Sequence, residues 1–139
     1  MDEKAARTAF EAALLSHAPG FGSFFLARLL DLHISYEGET CQVKMDIRDW
    51  MYNPQGTLHG GLIGTVLDIS MGHLLRHAAG VGMTLGMNTT FLRAVKTGIV
   101  TAEGAFVRRG RSINFLESRM RDDTGEPIAH ATSTWRLLA

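Results

Sequence analysis

The chain has 139 residues, 45% of them hydrophobic, and its fourteen basic residues balance fourteen acidic ones. That length suits one domain with a sizeable core, and the composition excludes a disordered chain. Neutral charge disfavours nucleic-acid binding, which depends on phosphate neutralisation, and a single cysteine, Cys41, rules out an intramolecular disulfide framework and fits a reducing compartment. The start, Met1-Asp2-Glu3-Lys4, is charged, no signal-type apolar run follows, and no stretch approaches ~18 uninterrupted apolar residues. A cytoplasmic protein without a membrane span is the expectation.

No repeat or linker divides the sequence, so residues 1–139 read as a single domain, with an N-terminal helix in 1–20 and the core in 21–138. Ala6, Phe10, Ala13, Leu14 and His17 recur at helical spacing over residues 3–17, and Pro19-Gly20 stops that helix. A second short helix is expected over 22–29. Residues 32–36 and 40–48 form a hairpin around Glu37-Gly38-Glu39, with Cys41, Val43, Met45 and Ile47 alternating onto one face.

Residues 58–77 make the main helix, apolar almost all round and therefore buried. It also holds Gly60, Gly61, Gly64 and Gly72. Each internal glycine costs roughly 1 kcal/mol against alanine, a cost that close backbone approach to a neighbour would offset. Gly80 ends the helix. Strands follow over 83–93, 98–108, 112–121 and 127–137, at hairpin spacing. An antiparallel sheet with one long central helix is an α+β fold.

Chemistry concentrates around that helix. Asn53-Pro54-Gln55-Gly56-Thr57-Leu58-His59-Gly60-Gly61 opens it with a polar loop and two glycines. Unpaired N–H groups and partial positive charge at a helix N-terminus suit a developing oxyanion. Asp68 is a lone acid in an apolar run, costly unless paired or put to use. Gly60 and Asp68 are ~12 Å apart along one helix axis, too far to act on one reacting group. Two copies packed antiparallel about a two-fold axis would bring Asp68 of one to Gly60 of the other, so a composite site in a dimer is expected. His59 suits a capping or loop-anchoring role better than that of a base. Asn53 either positions a water or substrate carbonyl, or simply shapes the turn before Pro54.

His73 and His77 have the spacing of two metal ligands on a helix face but lack a zincin glutamate, and no metal site is expected. Arg108, Arg109 and Arg111 surround Gly110, either as a solvated turn or as a phosphate clamp for a nucleotide-bearing small molecule. There is no Gly-x-Ser-x-Gly elbow and no dinucleotide or P-loop glycine pattern. Cys41 reads as a small core hydrophobe. Phe24, Phe25, Leu29 and Met71 are candidate pocket residues and equally good core residues.

Asn53 with five residues before His59-Gly60-Gly61, Asp68 seven residues further on, and Met87-Asn88-Thr89-Thr90-Phe91 on the next strand resemble the hotdog-fold acyl-CoA thioesterases. The similarity is to the phenylacetate-degradation type and covers roughly residues 21–138. It implies an antiparallel sheet wrapped around the long helix, paired subunits, and dimers that pair again. Asp68 then matches the general base or nucleophile and Gly60 the oxyanion donor, with Asn53 and His59 supporting it. Thr84 matches a hydroxyl that holds water near the acid. Gly61 belongs to the substrate-binding helix end, and Arg109-Gly110-Arg111-Ser112 matches the hairpin that meets the coenzyme A nucleotide. The implied activity is hydrolysis of a small or medium acyl-CoA without a cofactor. The alternatives are a dehydratase or hydratase on the same fold, a non-catalytic acyl-CoA or aromatic-ligand binding module, and a purely structural dimer.

Overall fold

The computed structural model describes residues 1–139. Its elements are α1 (Glu3–Ser16), α2 (Phe25–Leu29), β1 (His33–Glu37), β2 (Thr40–Asp46), a 3-10 turn (Asp49–Met51), α3 (Gly60–Ala78), β3 (Gly82–Phe91), β4 (Ile99–Arg108), β5 (Ile113–Arg121) and β6 (Pro127–Leu137). The strands form one antiparallel sheet in the order β1-β2-β4-β5-β6-β3. Alternation buries Cys41, Val43 and Met45 on the concave face, joined by Val100 and Ala102 of β4, Leu116 and Met120 of β5, and Ala129 and Ala131 of β6. These close over Val66, Leu67, Met71, Leu74 and Leu75 of α3. Each valine, leucine and methionine among them contributes roughly 1.5–3 kcal/mol by leaving water.

Two expectations change on contact with the fold. The first concerns β3 and β4, which do not form a hairpin: β3 pairs with β6 and lies three strands away from β4. Three inter-strand gaps amount to ~14 Å. The connection over 92–98 can extend ~23 Å at 3.3 Å per residue, long enough to cross the end of the sheet.

The second concerns α3, which is not enclosed on all sides. Gly61 and Arg76 are exposed, and Gly64, Thr65, Asp68 and Gly72 are only half-buried. Every fourth residue of that open side lies against one side chain of the outer part of the sheet. Gly60 faces Phe91, Gly64 faces Met87, Asp68 faces Thr84 and Gly72 faces Trp135. A Cβ on Gly72 would come within 2.7 Å of the Trp135 ring, and one on Gly60 within 3.3 Å of Phe91. The glycines therefore permit close approach of sheet and helix, as their cost in the helix requires. Among these four positions, Asp68 is the one that carries a side chain.

α1 is capped by Asp2, whose carboxylate accepts from the Ala5 N–H. It rests on α2 through Phe10 and Phe25, with ring centroids 5.5 Å apart. Its apolar stripe is only partly covered: Ala13 is buried, while Phe10 and Leu14 are about half exposed. No helix is long and apolar enough to cross a membrane.

Candidate active site

Asp68 projects from the middle of α3 into a cleft of about 750 Å³. The walls are Ile69 and Gly72 of the helix, Met83 and Thr84 of β3, Trp135 of β6, and the segment from Pro19 to Phe24. The Thr84 hydroxyl donates to Asp68 Oδ1 at 2.9 Å. Burial pushes the Asp68 carboxyl above its ordinary value, and the Thr84 hydrogen bond, by favouring the charged form, offsets part of that rise. A carboxylate half-removed from water and held by one hydroxyl has the character of a base or nucleophile.

The segment opening α3 forms a second group. His59 is the N-cap, and its Nδ1 accepts the Gly61 N–H at 2.9 Å. That assignment leaves the proton of a neutral ring on Nε2. The Gly60 N–H has no hydrogen-bond partner, because it lies in the unpaired first turn and the cap takes the N–H of Gly61. Asn53 builds the preceding turn: its Oδ1 accepts from the Gln55 and Thr57 N–H groups at 3.0 and 3.1 Å, and its Nδ2 donates to the Thr57 hydroxyl at 3.0 Å. The His59 backbone N–H is tied to the Met51 carbonyl at 3.0 Å. Asn53 and His59 thus hold the loop so that one N–H, that of Gly60, is left over.

The arginine hairpin is a third group, at the other end of α3. Arg109 Nη2 donates to the Ala78 carbonyl at 2.9 Å, and its guanidinium lies 4.9 Å from the centroid of Phe106. Arg109 therefore caps the C-terminus of α3, where positive charge is favoured. The Gly110 N–H donates to Asn114 Oδ1 at 3.1 Å, and the Ser112 carbonyl accepts from Leu137 at 2.8 Å. Arg111 makes no ion pair or hydrogen bond within the chain and is exposed.

Other candidates resolve by position. His73 is buried, with Nδ1 3.0 Å from the Ile69 carbonyl and Nε2 2.5 Å from the Phe21 carbonyl. His77 instead stacks on Tyr36 at 4.1 Å, so the two histidines do not converge. Cys41 is fully buried, and burial pushes its thiol up to about 12, far from a nucleophile's range. Of the four apolar pocket candidates only Phe24 lines the cleft; Phe25 packs on α1, Leu29 lies elsewhere, and Met71 is core. Sequence reasoning missed Phe21, Arg76 and Trp135 as lining residues. Arg76 carried a signal, since it lies eight residues after Asp68 on the same helix row. Phe21 and Trp135 carried none.

The model of the thioesterase superfamily matches residues 55–129, more than half of the chain. The chain belongs to the thioesterase superfamily. It is thereby a thioester hydrolase, and its sheet wrapped around one long helix is the hotdog fold. A Saccharolobus solfataricus protein provisionally named an esterase is 28% identical over 107 residues, 76% of each chain. A Bacillus halodurans protein solved with CoA superposes with a TM-score of 0.89 at 22% identity, covering 99% of this chain and 94% of that one. The E. coli PaaI protein of the phenylacetic acid degradation operon gives 0.81 at 15% identity, with 96% of both chains covered. At those identities the two structures speak for the fold.

Proposed function

We propose that this thioesterase hydrolyses a small or medium acyl-CoA in a site shared by two subunits. The observation that carries the reading is the separation on α3 of a free N–H at Gly60 from a hydroxyl-held carboxylate at Asp68. Eight residues of helix put them ~12 Å apart along the axis, whereas both must lie ~3 Å from the reacting carbonyl. A second subunit removes the conflict. Strand β3 is an open sheet edge, and its Met83, Leu85 and Phe91 are 49%, 55% and 56% exposed. A long, apolar edge of this kind is a liability unless it is paired. Pairing β3 with its two-fold copy would cover it and set the two α3 helices antiparallel.

In that arrangement the thioester carbonyl lies at the Gly60 N–H of one subunit, polarised by the helix end. Asp68 of the other takes a proton from water as it attacks the carbonyl carbon, or attacks that carbon itself to give an anhydride that water then opens. Collapse of the tetrahedral species expels the CoA thiolate. A thiol pKa near ~8.5 makes that departure feasible without a strong general acid. Thr84 orients Asp68, while Asn53 and His59 hold the Gly60 loop. In the nucleotide hairpin, Arg111 has the free guanidinium for a phosphate, with Gly110, Ser112 and Arg109 shaping the turn.

Thiol release from aromatic and aliphatic acyl-CoA thioesters, with wild type and Asp68→Asn side by side, tests this. Turnover that collapses by ~10²–10⁴ in the variant is expected. Binding of acyl-CoA by both proteins without turnover by either would instead favour a non-catalytic binding module.

A further inference from the structure

The cleft at Asp68 has a second charged end. Arg76 lies eight residues further along α3 and lines the same cleft. Its guanidinium is stacked over the Phe21 ring, 4.4 Å from the centroid. It forms no salt bridge and no hydrogen bond within the chain, so its N–H fork is unspent while its flat face is fixed. Between Asp68 and Arg76 the lining is largely apolar: Phe21, Phe24, Ile69, Met83 and Trp135. The Phe21 wall is anchored, because the Phe21 carbonyl is bound to buried His73 and the Phe21 and Phe24 rings pack on that imidazole at 5.6 and 6.3 Å. The pocket is thus preformed, with the reacting carboxylate at one end, apolar walls, and one unpaired cation at the other.

We propose that this cleft receives the acyl chain and that Arg76 selects acyl groups ending in a carboxylate. The inference rests on the thioesterase reading, with Asp68 as its base. An apolar acyl chain would leave the guanidinium in water, at little cost. An ω-carboxylate would accept its N–H groups in a charge-assisted pair, over a ring that keeps water from one side. The same anion chemistry could come from the CoA phosphates, so the carrier must be varied as well as the acyl end.

The experiment uses matched thioesters, hexanoyl with adipoyl and benzoyl with 4-carboxybenzoyl, each on CoA and on pantetheine. In wild type the carboxylated member of at least one pair is expected to have a kcat/KM about tenfold higher on both carriers. Arg76→Gln should erase that ratio on both carriers, and Arg76→Lys should retain part of it. Turnover of the plain thioesters with no preference for the carboxylated ones would overturn this inference while leaving the thioesterase reading intact. So would an Arg76→Gln loss seen with CoA and absent with pantetheine, which would place the nucleotide at Arg76. Failure of every thioester to turn over would remove the thioesterase reading and this inference with it.

Discussion

Thr84 donates its hydroxyl to Asp68 Oδ1 at 2.9 Å, linking the one acid of the central helix to the edge strand of the sheet. The bond opposes the effect of burial on the carboxyl. The acid limb of kcat/KM should therefore lie above the ordinary carboxylate range, and Thr84→Val should move it to still higher pH. A limb that stayed put in Thr84→Val would separate Thr84 from the working base.

The same shift bears on stability. A carboxyl whose folded pKa is raised favours the fold most when protonated, and that advantage is lost as pH rises through the folded pKa. At neutral pH, ionised Asp68 is a cost to the fold. Asp68→Asn keeps an acceptor for Thr84 without the charge, so its Tm should exceed that of wild type while its activity falls. A lower Tm at pH 7 would contradict this.

Gly72→Ala places a methyl 2.7 Å from the buried Trp135 ring. Overpacking of this kind costs about 1–3 kcal/mol. Chemical denaturation should show that loss, whereas Gly22→Ala, where a Cβ meets nothing within 4 Å, should lose far less.

The arginine hairpin has a structural half in Arg109 and, in the proposed site, a binding half in Arg111. Arg109→Ala removes the guanidinium from the Ala78 carbonyl and should lower Tm. Arg111→Ala should leave Tm near wild type and raise KM for acyl-CoA, with no such rise for a pantetheine thioester. Equal KM effects on both carriers would dissociate Arg111 from the nucleotide.

Acid stability should depend on Asp122. Its carboxylate accepts from the Thr124 hydroxyl and the Thr124 and Glu126 N–H groups and pairs with Arg93, and these bonds lower its pKa to about 2. A depressed pKa contributes stability above the unfolded value of 3.8 that is lost as pH falls toward 2. Asp122→Asn should flatten the stability profile in that window.

Alternation and turn residues located all six strands, and helical spacing located α3, to within two residues, because period and punctuation are local properties. Strand order is not local. Nothing in 92–98 tells a hairpin from a crossing, so the pairing of β3 with β6 had to come from the structure. Thr84, which the family resemblance pointed to, shows what alternation by itself hides. Strict alternation would put Thr84 on the face opposite Met87 and Phe91. An irregularity between Thr84 and Gly86 reverses that phase, so that all three meet α3. Asp68 and the His59-Gly60-Gly61 opening were legible because an acid in an apolar helix and glycines at its start are conspicuous locally. Phe21 reaches the cleft through His73, a contact 52 residues apart in sequence.

In the proposed composite site, Gly60 of one subunit works with Asp68 of the other. Gly60 is the first residue of α3, a position whose backbone suits proline, and Gly60→Pro deletes the N–H in question while setting a Cβ 3.3 Å from the Phe91 ring. Each of Gly60→Pro and Asp68→Asn alone should lose at least ~10²-fold in kcat. A heterodimer carrying Gly60→Pro in one subunit and Asp68→Asn in the other, isolated through two different tags, contains one intact composite site. It should recover about half of the wild-type activity per dimer. If Gly60 and Asp68 instead acted within one subunit, both of its sites would be damaged, and the heterodimer would be as inactive as either parent.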